Sequence, residues 1–176
     1  MNKKCFNVLI LSLCFNLHSS FAASLAEDDF SGQFYISTLT GATHANNGLM
    51  ETGQKHSVQL GLRKNRTTAF EIEMSAYQSD LSGSGHSSEK TNIILSYILI
   101  NPEPLWNPYF LIGVGANNIP DTSSTALAKT AIGGFWALSD NKLMLRAEIG
   151  VEYSNTNQSL LDGLDSHVQI GLLFPF

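Results

Sequence analysis

With 176 residues, the chain has the length of one ordinary domain, and its composition does not ask for a second. Only 14% of the residues are charged while 43% are apolar; soluble domains carry roughly 25% charged residues, so a medium other than water is expected over part of the surface. The net charge of −5 argues against nucleic acid as a partner.

The first 22 residues read apart from the rest. Lys3 and Lys4 make a basic start, and residues 6–15 are mostly apolar but well short of the ~20 that a spanning helix needs. Ser20-Phe21-Ala22 then offers a small-x-small cleavage site. A cleaved signal peptide over 1–22 and one mature domain over 23–176 are expected. Leu13 is too bulky to precede a lipidated Cys14, where Gly or Ala is the usual neighbour. Cleavage would remove Cys5, Cys14, Lys3 and Lys4. Ten basic residues then become eight against fifteen acidic ones, and the mature net charge is −7. An exported chain without thiols has no disulfide staples, so packing and backbone pairing must hold it together.

Beyond residue 30 the sequence alternates with period two, which predicts strands over 31–40, 55–63, 68–77, 91–100, 109–117, 127–138, 143–154 and 165–175. Each has about ten residues, enough to cross hydrocarbon when tilted. No apolar run is long enough for a membrane helix; the longest, 93–100, is interrupted by Ser96 and Tyr97. The connections 41–54, 78–90, 118–126 and 155–164 are long and rich in Gly, Ser, Asn and Asp, while 64–67, 101–108 and 139–142 are short. Long loops on one side and tight turns on the other is the layout of outer-membrane barrels, with the long side extracellular. Both termini are then expected in the periplasm.

One strand cannot say which face is inside. Leu143, Leu145, Ala147, Ile149, Val151 and Tyr153 share one face of the seventh strand, opposite Arg146, Glu148 and Glu152. Eight strands together do decide. Their apolar faces, with residues such as Phe34, Leu60, Ile72, Leu95, Ile112, Ile132 and Ile170, carry no formal charge. Around thirty such side chains would overfill an eight-stranded lumen, which is just wide enough for side chains to fill. That weighs against a soluble lipocalin-like carrier and for an all-β, eight-stranded antiparallel up-and-down transmembrane barrel with its greasy face in lipid.

The opposite faces then fill the lumen. They hold Arg63, Lys129 and Arg146 with Glu71, Glu73, Glu148 and Glu152, and glycines such as Gly61, Gly133 and Gly150 that make room for them. Buried charges must be paired to be tolerated, so these seven are expected to form an internal network. Ile94, Ile98, Leu111, Phe135 and Leu173 break the polar pattern and are expected as a dry layer near the short turns. Trp106, Tyr109, Phe110, Trp136, Phe174 and Phe176 near the turns, and Tyr77 and Tyr153 near the loops, are expected as girdles at headgroup level.

Asn107-Pro108-Tyr109-Phe110-Leu111-Ile112-Gly113-Val114-Gly115, Leu145-Arg146-Ala147-Glu148, and His167-Val168-Gln169-Ile170-Gly171-Leu172 running to Phe176 resemble the small outer-membrane β-barrels of the outer membrane protein A and opacity-protein type. The resemblance spans the mature chain and implies fold and compartment more than activity. It implies that Phe176 is the signal read by the barrel-assembly machinery. With no peptidoglycan-binding domain after the barrel, no tether to the cell wall is expected.

Glu152-Tyr153-Ser154-Asn155 followed by Asp162 to Ser166 also looks like the catalytic region of the outer-membrane lipid A deacylases. The likeness implies Ser154 as nucleophile and Asp165 as acid. However, Glu152 stands where that family has its histidine, so nothing obvious takes the serine proton. His167 could in principle substitute, but position 152 defines the motif, and alternation sends Ser154 to the lumen rather than toward lipid. His44, His56, His86 and His167 are scattered without metal-ligand spacing and read as loop or rim residues. Neither a metal nor a cofactor is expected, and eight packed strands leave no porin-like channel. What remains is a scaffold whose four extracellular loops act at a host surface, a neighbouring cell or lipopolysaccharide, with outer-membrane lipids around the wall.

Overall fold

The computed structural model describes residues 32–45, 53–80, 87–103, 106–118, 124–139, 143–154 and 163–176. The expected signal peptide and His86 lie outside them. Eight strands follow one another: β1 (Gln33–Ala45), β2 (Gly53–Arg63), β3 (Thr68–Asp80), β4 (Ser87–Ile100), β5 (Asn107–Asn118), β6 (Thr125–Ser139), β7 (Leu143–Ser154) and β8 (Leu164–Pro175). Each pairs antiparallel with its neighbour in sequence, and β8 returns to β1 from Tyr35↔Pro175 to Ala45↔Asp165, closing the barrel. Closure leaves no edge strand to protect.

Strands run past the sequence expectation at the long-loop end. β1 reaches Ala45 instead of residue 40, and β3 and β4 pair as far as Asp80↔Ser87. Alternation is weak there, and it is ladder pairing on both sides that keeps Gly41, Ala42 and Thr43 extended. The short turns are tied locally. Asn65 Oδ1 accepts from the Thr67 N–H (2.9 Å) and the Thr68 hydroxyl (2.8 Å), while the Asn101 N–H donates to Pro108 O (2.8 Å). Such side-chain bonding to the neighbouring backbone is what favours Asn in turns.

Period-two alternation separates the two faces almost without exception, and the separation is inverted relative to a soluble barrel. Val114 is 66% exposed, Met74 62%, Ile132 59% and Ile93 58%, whereas Arg146 is 0% exposed and Lys129 1%. The lipocalin-like alternative is thereby excluded: the large apolar set points outward and the ionic set inward. Only lipid makes an apolar belt of this size tolerable, since exposed apolar patches on soluble proteins rarely exceed a few hundred Å². Trp106 stacks on Trp136 (5.7 Å between ring centroids) and Phe34 on Phe176 (6.4 Å) on the outer wall at the turn end. The Phe176 N–H donates to Phe34 O (2.9 Å), fastening the C-terminus to β1.

Candidate functional site: the ionised lumen

Six of the charges expected in the lumen, joined by Lys55, form one continuous chain of alternating sign. Arg146 bridges Glu71 (Nη1 to Oε2, 2.6 Å) and Glu148 (Nη2 to Oε2, 2.8 Å). Lys129 continues from Glu148 (2.6 Å) to Glu73 (2.6 Å), and Lys55 from Glu73 (2.9 Å) to Glu152. The carriers are β2, β3, β6 and β7, on opposite sides of the barrel, so the chain ties walls together that share no backbone ladder. All seven side chains have no solvent exposure. A buried ion left alone costs several kcal/mol, and each carboxylate here meets at least one cation. Arg63 lies instead at the turn-side mouth, where its guanidinium donates to Arg66 O (3.1 Å).

Three tyrosines complete the carboxylates' coordination. Tyr35 donates to Glu71 (2.8 Å), Tyr109 to Glu148 (2.8 Å) and Tyr77 to Glu152. Tyr77 and Tyr109 are therefore not girdle residues: they are 6% and 4% exposed and point into the lumen. A ring near a strand end satisfies the headgroup pattern equally well from either face, and only parity with Ser75 and Leu111 tells them apart. Two ammonium groups, Lys55 and Lys90, approach the Tyr77 ring, each nitrogen 5.2 Å from its centroid. Such cation–π contacts gain strength when desolvated. Lys90 in turn pairs with Asp165 (2.9 Å) near the long-loop mouth.

The lower part of the site repeats itself. Tyr35, Gly61 and Glu71 are register partners across β1, β2 and β3; Tyr109, Gly133 and Glu148 are register partners across β5, β6 and β7. In both rows the tyrosine ring lies over the glycine, so that a Cβ at Gly61 would stand 2.0 Å from Tyr35 Cζ and one at Gly133 2.4 Å from Tyr109 Cζ. The room left by these glycines is thus taken by tyrosines, not by the charged side chains expected there from the sequence. Both rows deliver a carboxylate to the same guanidinium. Arg146 also donates through Nε to Tyr109 Oη (2.9 Å), and its Cζ lies 5.2 Å from the Tyr109 ring centroid and 5.5 Å from that of Phe135.

Below this clamp the lumen is lined by apolar side chains. Ile98, Leu111, Phe135 and Leu173 form a buried cluster with Tyr35, Ala69, Ile100, Tyr109, Ala131 and Met144. Ile94 is fully buried higher up and does not belong to this layer.

The serine-hydrolase pattern is not assembled. Ser154 is buried, with its N–H donating to Gly163 O (2.9 Å); Asp165 is held by Lys90, and Glu152 by Lys55, Tyr77 and Asn92. His167 is neither a loop nor a rim residue. It is 2% exposed inside the lumen, with Nε2 3.2 Å from Glu148 Oε1. No hydrogen bond joins Ser154 to Asp165 or His167 among the described residues. His56 lies on the outer wall, its Nδ1 2.9 Å from the Thr40 hydroxyl.

Besides the three tyrosines, Lys55, Lys90 and His167 are ionisable lumen residues that sequence reasoning missed. Parity was the available signal, because Lys55 follows from Gln59, Lys90 from Asn92 and His167 from Gln169.

A closed eight-stranded up-and-down barrel with an apolar outer belt and an ionised interior defines the class of small outer-membrane β-barrels. Solved members of that class superpose on this chain. Neisserial surface protein A matches with a TM-score of 0.69 at 16% identity, covering 85% of this chain and 100% of that one. Ail of Yersinia pestis, the attachment invasion locus protein, solved with the heparin analogue sucrose octasulfate, matches at 0.56 and 12% identity over 83% and 99%. The N-terminal barrel of Pseudomonas aeruginosa OprF matches at 0.54 and 15% identity over 83% and 100%. At these identities the likeness is one of fold. No family model and no curated protein matches the sequence.

Proposed function

We propose that the protein is a surface-interaction scaffold of a Gram-negative outer membrane, with both termini in the periplasm and its activity in the four long connections that join β1 to β2, β3 to β4, β5 to β6 and β7 to β8. The observation that carries this reading is the filled lumen. A chain of ion pairs above an aromatic and aliphatic layer occupies the lumen among the described residues, which supports a role for the barrel other than solute passage. A barrel whose interior is committed to its own stability acts through what it displays. Ail carries its attachment role on the same fold, and we extend that role to this chain as a host-surface or neighbouring-cell ligand at the loops. Lipopolysaccharide and the other outer-membrane lipids are the partners of the wall, and the barrel-assembly machinery recognises the terminal Phe176.

Replacement of each loop in turn by a short Gly-Ser connector tests the reading. Heat-modifiable gel migration and outer-membrane fractionation should be retained, while adhesion of expressing cells to host cells or immobilised glycans should fall at least tenfold for one loop or more. Unchanged adhesion in all four variants would refute the scaffold role. A lipid A mass shift caused by the purified barrel, abolished by Ser154→Ala, would replace it with the deacylase reading.

A further inference from the structure

On its turn side the apolar layer borders an open hollow of about 350 Å³, lined by Ile100, Phe135, Met144 and Leu173 and, among polar residues, by Gln33 and Arg63. Gln33 and Arg63 are the last register pair of β1 and β2, so the hollow sits at the rim of the barrel. The chain enters β1 beside it. Gly32 donates its N–H to Arg63 O (2.8 Å) and has a φ of +79°, a left-handed conformation that breaks the extended line of β1 at that rim. The residues before this turn are Glu27-Asp28-Asp29-Phe30-Ser31, three consecutive acids followed by an aromatic ring. Two residues of chain span at most about 7 Å, which puts Phe30 within reach of the hollow from the fixed Gly32. The barrel offers the opposite charge at the same place. Lys55, Lys90, Lys129 and Arg146 are committed to ion pairs in the lumen, whereas Lys64 and Arg66, in the β2–β3 turn that follows Arg63, are exposed.

We propose that residues 27–30 cap the turn-side mouth of the barrel, with the Phe30 ring in the hollow against Phe135, Met144 and Leu173 and the acids Glu27, Asp28 and Asp29 against Lys64 and Arg66. Exposed ion pairs contribute little singly, so burial of the ring supplies most of the hold and the charges choose the side of the rim over which the chain crosses. An acidic segment that ends in an aromatic ring matches both parts of this mouth. A lipid headgroup matches only one: its phosphate would meet Lys64 and Arg66, but its acyl chains belong to the leaflet outside the wall and would leave the apolar hollow unfilled. The cap closes the barrel at the end opposite the long connections and involves none of them, so the surface-interaction role stands or falls separately.

Nuclear Overhauser spectra of the isotope-labelled protein in nanodiscs of zwitterionic lipid, with labelled methyls and protonated Phe rings, test the cap. Ring contacts are expected at the Met144 ε-methyl and the Leu173 methyls. Phe135 contributes to them as well, so the deciding contacts are those that vanish in Phe30→Ala. The same variant should shift the Met144 and Leu173 methyl resonances and leave those of Ile94, fully buried higher in the lumen, in place. Lys64→Glu combined with Arg66→Glu should weaken the Phe30 contacts at least threefold, and adding Asp28→Lys and Asp29→Lys should restore them. Methyl contacts and shifts indifferent to Phe30→Ala would overturn the cap, as would Phe30 contacts to lipid acyl chains in place of Met144 and Leu173. Contacts unmoved by the charge reversal at Lys64 and Arg66 would overturn the pairing of the acids with this turn.

Discussion

The two halves of the lumen exclude bulk solvent by opposite means. Toward the turns, Ile98, Leu111, Phe135, Met144 and Leu173 fill the barrel as the core of a soluble protein would, and no charge is needed. Toward the loops the same cross-section is filled by Lys55, Glu73, Lys129, Glu148 and Glu152, each tolerable only because its neighbour has the opposite sign. Arg146 stands where the two regimes meet, its guanidinium on two carboxylates and its plane beside Tyr109 and Phe135. An apolar layer loses stability in proportion to the atoms removed. An ion chain loses it according to how many partners are stranded, and its members are therefore much less interchangeable.

Substitutions at graded positions across this boundary separate the two regimes, and all can be read as urea midpoints of the barrel in detergent with heat-modifiable migration as the folding criterion. Arg146→Ala is expected to have the largest effect. It strands Glu71 and half the coordination of Glu148 in a site without solvent, and removing one partner of a buried pair costs about 3–5 kcal/mol. Leu111→Ala in the dry layer leaves a cavity but no stranded charge, for an expected loss of about 2–4 kcal/mol. If the two losses were reversed in order, stranded charge would not be what governs stability in the upper half.

Gly133→Ala follows. Its Cβ would stand 2.4 Å from Tyr109 Cζ and 2.4 Å from Ala147 O, so both the ring and a β7 carbonyl must yield, at about 1–3 kcal/mol. At Gly61 the nearest atoms are all those of the Tyr35 ring, a side-chain end that yields more readily than a backbone carbonyl, so Gly61→Ala should cost less. Val114→Ala is expected to cost about 1 kcal/mol, less than Leu111→Ala, because it forfeits apolar transfer into lipid but opens no cavity. A loss at Val114 as large as that at Leu111 would mean that both faces of β5 are packed against protein.

Much of this was legible in the sequence. Period-two alternation placed all eight strands and their faces, since a side chain in a strand has only two directions to point. Ile98, Leu111, Phe135 and Leu173 could be assigned to a dry layer as inward positions with no polar atoms. Legibility failed where a second pattern competed with parity. Tyr109 sits two residues before Leu111 on the same face, yet its place near a strand end points equally to a headgroup ring. His167 shares a face with Gln169, yet its nearness to a polar loop gives it the look of a rim residue. The partners inside the lumen were beyond reach for a different reason. Lys55 meets Glu152 across the barrel from β2 to β7, and which residues face each other there depends on the stagger of the closed sheet, which no single strand records. The repeated Tyr-Gly-Glu rows were hidden likewise, because their members lie on three separate strands and align only through register.

Collision measurements on nitroxide spin labels test the inverted polarity most directly. Single cysteines at Val58, Ile72, Val114 and Ile170 in a background without the two native cysteines, reconstituted in lipid bilayers, would carry the labels. The account predicts that all four collide freely with oxygen dissolved in the bilayer and are shielded from a water-soluble nickel chelate. Access to the chelate at all four positions, equal to that of an exposed turn residue such as Asn65, would contradict it.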